Sequence, residues 1–268
     1  TMAFVEHRTE ELPAPEQVAQ LAEGRIELVA PGDLRQSSWG SSFPRLVRRR
    51  GEGAPLVRLK EAGFSWSRNT ASEPLLDGVN LELLPGEVTL LRGANGSGKT
   101  TFLRIIAGAR APSLGSVVRA KACRLAYLPQ NPEHLFVSYT VREELEEAAV
   151  YGAGRPGGDR APDLPELLAE RFGLGALLEA NPFELSSGQK RRLNLAIVAA
   201  TGASVLVLDE PTFGLDEVGV VELIELIGVL REEGASLLVA THDTPFAEAV
   251  ADRLLVLRKG RVEEAVRA

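Results

Sequence analysis

Eight consecutive residues, GANGSGKT from Gly93 to Thr100, combine the residue types and spacing that hold a chain of phosphates. Glycines at 93, 96 and 98 let successive backbone N–H groups turn inward. A helix beginning near Lys99 adds its positive end, the Lys99 ammonium reaches the β- and γ-phosphates, and the Thr100 hydroxyl is a magnesium ligand. The nucleotide-holding stretch is therefore expected to be Gly93, Ala94, Asn95, Gly96, Ser97, Gly98, Lys99, Thr100 and Thr101. A second signal is VLVLDEPT, in which four apolar residues of a buried strand lead to Asp209. That position is the C-terminal tip of the strand, where open α/β sheets bind their ligands. Asp209 is the other magnesium candidate, held directly or through water. Glu210 points elsewhere and can orient and deprotonate an attacking water.

Between these two signals lies LSSGQKRRLNLAIVAA, residues 185–200. Ser186, Ser187, Gly188 and Gln189 stand where a helix begins, so hydroxyls and free backbone N–H groups converge on a second anion site. One triphosphate scarcely needs two such helix starts. The second is expected to serve a nucleotide held by another subunit.

The elements that must position these groups are legible from periodicity. PLVRLKEAGFSW and GVNLELLPGEVTLLRG alternate like antiparallel strands, and the second runs into the glycine loop and then the helix TTFLRIIAGA, closed by Gly108. SVVRAKACRLAYLPQ adds strands, with Cys123 expected as a buried thiol within one of them. Residues 140–180 read as mostly helical, broken by the Gly/Pro-rich YGAGRPGGDRAP. Beyond residue 185, helix, strand SVLVLDE, helix and strand SLLVATH alternate, as in a parallel sheet covered by helices. The fold class is α/β with a helical insertion.

Taken in order, the phosphate loop, PQNP, LSSGQ, VLVLDEPT, GLD and ATHD resemble the nucleotide-binding subunit of ABC transporters over about residues 56–266. The resemblance implies a P-loop ATPase with a parallel core sheet, an antiparallel β subdomain and a helical subdomain near residues 130–190. It also implies ATP and Mg²⁺, and two cassettes paired head to tail. Each nucleotide is then clamped between one cassette's phosphate loop and the other's signature, here Ser186 with Gly188. Carried over by motif, Trp66 stacks on adenine and Gln130 senses magnesium or water and couples to the transport domain. Asp216 is the interface carboxylate, and His242 contacts the γ-phosphate while holding Glu210 in register. The usual signature has glycine where Ser187 stands; activity is expected, with altered packing against the partner's nucleotide. PQNPEHLFVSYTVREEL, residues 129–145, is similar to the corresponding region of energy-coupling factor ATPases, importers of vitamins and transition metal ions.

The whole chain bounds these readings. With 268 residues and 44% apolar content it can bury a substantial core, and its net charge of −7 argues against broad nucleic-acid binding. No apolar run approaches the roughly 18 residues that cross a bilayer, so a separate transmembrane subunit is expected, with this chain peripheral on the cytoplasmic face of the membrane. The alternative is a soluble ABC ATPase acting on ribosomes or chromosomes. Residues 100–185 lack the heptads of a chromosome type, and the Pro/Gly-rich stretch before residue 56 does not resemble the charged linker of a translation-factor type. A catalytically silent cassette is disfavoured by intact Glu210 and His242. Residues 31–55 read as a linker, including RLVRRR. Residues 1–30 align with the chain's own end, His7 on His242, Thr9 on Thr244 and, after one gap, LAEGRIE on LRKGRVE. They read as the tail of a preceding cassette.

Overall fold

The computed structural model describes residues 43–66, 73–121, 123–153 and 163–265, together with two strands nearer the start. Those strands, β1 (Val18–Ala22) and β2 (Arg25–Val29), form an antiparallel hairpin inside a first compact unit, Thr1–Phe43. His7 and Thr9 lie outside the described residues.

The second unit runs from Pro44 to Ala268. Its strands are β3 (Val57–Phe64), β4 (Leu76–Leu83), β5 (Val88–Arg92), β6 (Leu114–Arg119), β7 (Leu125–Leu128), β8 (Val205–Asp209), β9 (Ser236–Ala240), β10 (Arg253–Arg258) and β11 (Arg261–Glu264). Its helices are α1 (Lys99–Ala107), α2 (Val141–Ala153), α3 (Leu164–Arg171), α4 (Ser187–Ala200), α5 (Glu217–Glu232) and α6 (Thr244–Val250). Two sheets result. One has the order β4-β3-β6 and is antiparallel; the other has the order β11-β10-β5-β9-β8-β7 and is parallel from β10 to β7.

The central strands VTLLR, VLVLD and SLLVA are buried nearly throughout, as strands covered on both faces require. By contrast β4 alternates between buried and exposed positions, leaving one face wet. Helix α1 joins the two sheets: Phe102, Leu103, Ile105 and Ile106 share a core with Val57, Leu59 and Leu81 on one side and Val205, Val207 and Leu238 on the other. Gly115, at φ 69°, lets β6 approach a bulge in β3; a Cβ there would sit 2.2 Å from the Glu61 carbonyl oxygen.

Three expectations need correction. GVNLELLPGEVTLLRG is not one antiparallel run: the turn at Pro85 and Gly86 divides it, sending β4 to the antiparallel sheet and β5 to the centre of the parallel one. Alternation reports which faces are buried and not which sheet a strand joins. Likewise β6 and β7 part company, and Cys123 lies between them, half-buried and outside any strand, its thiol pushed up chiefly by burial. The part of the expected linker from residue 44 onward runs along the cassette: the Leu46 N–H donates to the Ala249 carbonyl, and the Arg49 N–H to Asp252 Oδ1 at 2.8 Å. Arg45 and Arg49 of RLVRRR are paired with Glu248 and Glu232. Helices α2 and α3 confirm the helical insertion, while its Gly/Pro-rich stretch at 154–162 lies outside the described residues.

Candidate functional site

Strand order brings the chemistry together. Because β9 separates β5 from β8, the segments leaving the carboxyl ends of all three strands converge: the phosphate loop after β5, Asp209 and Glu210 at β8, and Thr241 to Asp243 after β9. This is the ligand crevice of an open α/β sheet.

The loop is built for an anion. Gly93 has no room for a side chain, since a Cβ would lie 2.7 Å from Ser97 Oγ and 2.9 Å from the Leu257 carbonyl oxygen. Gly98 caps α1 in the left-handed region, at φ 103°, and no side chain caps the helix's first N–H groups. Those donors and the helix dipole point at the loop. Ser97 Oγ is a buried hydroxyl with no hydrogen-bond partner, and Lys99 Nζ donates to the Gly93 and Ala94 carbonyls at 2.7 and 3.2 Å. An orphaned hydroxyl, open amides and a lysine folded over the loop are a donor set that fits a triphosphate.

Asp209 is buried, and burial raises its pKa above the usual carboxylate range; hydrogen bonds from Thr100 and Tyr127 act against that shift. A hydroxyl and a carboxylate oxygen held together are hard donors of the kind magnesium takes alongside phosphate oxygens. Among the described residues no group of three or more His, Cys, Asp or Glu could hold a metal ion.

Glu210 turns away from its neighbour through a positive φ of 49°, an uncommon conformation for a side-chain-bearing residue. Its Oε2 lies 3.0 Å from His242 Nδ1 and accepts the His242 backbone N–H at 3.3 Å. The strand ends at Ala240, two residues before the end of the expected SLLVATH, and a short turn carries His242. Asp243 anchors that turn: it caps α6 by accepting the Phe246 N–H at 3.1 Å, and its own N–H donates to Thr241 Oγ1 at 3.0 Å. The imidazole stays half exposed on the solvent side of Glu210.

Ser186 opens α4 with a capping box: its hydroxyl accepts the Gln189 N–H at 3.3 Å and Gln189 Oε1 accepts the Ser186 N–H at 2.8 Å. The bonds of this turn go to its own helix and, through Lys190, to Glu133, while Gly214 of the GLD turn lies beside Ser187. Asp216 caps α5 through the Gly219 N–H at 2.9 Å. Trp66 is 68% exposed, which excludes core packing; its ring meets Phe64 edge-on at 5.1 Å and lies under the Arg110 guanidinium at 4.5 Å. Gln130 is exposed, but its carbonyl accepts Arg191 Nη2 at 2.9 Å.

Two residues of this machinery escape the motifs. Tyr127 donates its hydroxyl to Asp209 Oδ2 at 3.2 Å, and its pKa is pushed up to about 12 by burial and then by the Asp209 charge. Arg191, fully buried in α4, ties the signature helix to the Pro129–Gln130 backbone; burial lowers its pKa to about 10, which leaves it charged at neutral pH. Helical spacing was the available signal for the arginine, since Arg191, Asn194, Leu195 and Val198 share the buried face of α4.

Comparison with known proteins gives a consistent picture. The sequence profile of the ABC transporter family matches residues 76–213. The HMP/thiamine import ATP-binding protein YkoD of Bacillus subtilis is 33% identical over 210 residues, covering 74% of this chain and 37% of that protein. The macrolide export ATP-binding/permease protein MacB of Brucella abortus is 32% identical over 224 residues, covering 78% of this chain and 34% of its own length. The chain thus spans little more than a third of either relative. Among solved structures, cbiO1 from Clostridium perfringens, part of the ABC transporter complex cbiONQ, superposes with a TM-score of 0.64 at 27% identity over 79% of this chain and 88% of that one.

Proposed function

The chain belongs to the ABC transporter family as an ATPase cassette, and from that premise we propose that it powers an importer of the energy-coupling factor type, for a vitamin or a metal ion. The observation that carries its catalytic part is the Glu210–His242 contact, made across the ends of β8 and β9 beside the phosphate loop.

In this reading ATP lies with its phosphates on the backbone of Gly96 to Gly98 and on Lys99, and its adenine against the exposed face of Trp66. Thr100 and Asp209, with Gln130 as the sensing residue, would hold a magnesium ion, which when bound would neutralise charge on the phosphates. Glu210 takes the proton of the attacking water, and His242 fixes the carboxylate that receives it. The remaining donors act by electrostatic positioning. The signature of a second cassette, at the positions matching Ser186 and Gly188 here, completes the γ-phosphate site, so closure of the pair is coupled to binding and reopening to hydrolysis.

The stretch after Gln130 is suited to pass that motion to a transmembrane subunit at the cytoplasmic face of the membrane. Val137 and Tyr139 stand exposed there, and the buried carboxylate of Glu144 holds their loop by accepting the Val137 and Ser138 N–H groups. Among the described residues no helix is long and apolar enough to cross a membrane. The import direction is supported by the likeness of residues 129–145 to energy-coupling factor ATPases. Companion subunits captured with the native protein from membranes test it, and a macrolide-type permease among them would reverse it.

The decisive variant is Glu210→Gln. It should bind ATP, hydrolyse it at least about a hundredfold more slowly because general-base help is lost, and accumulate as an ATP-bound dimer. Unimpaired turnover would remove Glu210 from its role.

A further inference from the structure

The hairpin β1–β2 repeats the hairpin that closes the cassette. In β10–β11, Arg258 faces Arg261, Leu257 faces Val262 and Val256 faces Glu263 across a two-residue turn of Lys259 and Gly260. In β1–β2, Ala22 faces Arg25, Leu21 faces Ile26 and Gln20 faces Glu27, with Glu23 and Gly24 between the strands. Loop length and register coincide; in sequence a Gly precedes each second strand, which begins Arg, a β-branched residue, then Glu. Because a hairpin's register is set by its turn, the two have the same construction and not merely similar composition. The sequence ahead of them agrees: His7 stands 17 residues before Gly24, and His242 stands 18 before Gly260.

The second hairpin also shows what the first lacks. Strand β10 has β11 on one side, but its other edge pairs in parallel with β5, the strand that feeds the phosphate loop. Strand β1, which takes the place of β10, pairs with β2 alone among the described residues. A two-stranded hairpin is marginal by itself, and an open strand edge is a template for another strand.

We infer that residues 1–29 are the end of another ATPase cassette, that β1 belongs beside the phosphate-loop strand of that cassette, and that the second cassette is therefore carried on the same polypeptide, ahead of this one. His7 is then the switch histidine of the earlier cassette and serves that cassette's nucleotide. The two composite sites become inequivalent. The loop at Gly93–Thr101 closes on the earlier cassette's signature, while Ser186–Gln189, with serine at the position of Ser187, closes on the earlier cassette's nucleotide. This rests on the two-cassette reading above and names its partner.

The test is an immunoblot of source cells with antibody raised against the Pro44–Ala268 unit, followed by peptide sequencing of the reactive band. The expected result is a polypeptide long enough for two cassettes, with peptides from a second phosphate loop N-terminal to His7. A reactive polypeptide no larger than 28.8 kDa would overturn the inference. Neither outcome touches hydrolysis by Glu210→Gln, so a failure here leaves the ATPase reading to be judged on its own assay.

Discussion

If His242 works through Glu210, its removal should matter only while Glu210 can act as a base. Oε2 of Glu210 receives two groups from His242, the ring Nδ1 at 3.0 Å and the backbone N–H at 3.3 Å; His242→Ala removes the first and keeps the second. A hydrogen bond to a charged group contributes about 1.5–3 kcal/mol, and the half-exposed ring argues for the lower end. Expressed wholly in the transition state, about 1.5 kcal/mol is roughly a tenfold loss of rate. The assay is single-turnover hydrolysis at saturating Mg·ATP for four proteins: wild type, His242→Ala, Glu210→Gln and the double variant. Glutamine at 210 cannot accept the proton, so the orientation of its side chain ceases to matter. The tenfold share of the histidine effect should therefore vanish in the Glu210→Gln background, giving a coupling of about 1.4 kcal/mol. Whatever loss persists there measures contact of the ring with the phosphate itself. Losses that multiply fully, with no coupling, would refute the claim that His242 orients Glu210.

Tyr127→Phe removes one of the donors that oppose the upward shift of the Asp209 pKa. The protonated acid is then favoured further, so the proton competes with magnesium to higher pH: the acid limb of activity should move upward in pH, and the magnesium concentration for half-maximal turnover should rise. Magnesium titrations at several pH values check both shifts, and superimposable curves would count against a positioning role. Asp252→Ala strips a buried carboxylate from the Arg231 guanidinium 3.2 Å away and from the Val88 and Arg49 N–H groups, both at 2.8 Å. Leaving that arginine buried and uncompensated should cost about 3–5 kcal/mol, read from urea unfolding. A loss below about 1 kcal/mol would class the pair with surface ion pairs.

How far the sequence reaches is clearest at Glu210 and Tyr127. Glu210 was legible because its neighbours in sequence, Asp209 before it and an apolar strand before that, already place it at the C-terminal tip of a buried strand. Tyr127 sits 82 residues from the aspartate it bonds, and nothing in LAYLPQ distinguishes its hydroxyl from a solvated one. The same holds for Arg191, which bonds backbone 61 residues away; KRR shows three cations, and only helix packing decides which one is buried. Asp252 and Arg231 carry no motif at all.

Local physics was written in the chain itself: the glycine loop that must run into a helix, the serine that must cap one, the two-residue turns, the apolar strands that must be buried. Each follows from contacts among residues a few positions apart, where backbone geometry leaves few choices. Which sheet β4 and β5 each entered, and which histidine met which glutamate, depended on pairing between segments far apart in sequence. Several partners would satisfy the hydrogen-bonding needs of any one edge, so only the assembled core, with α1 seated between two sheets, selected among them.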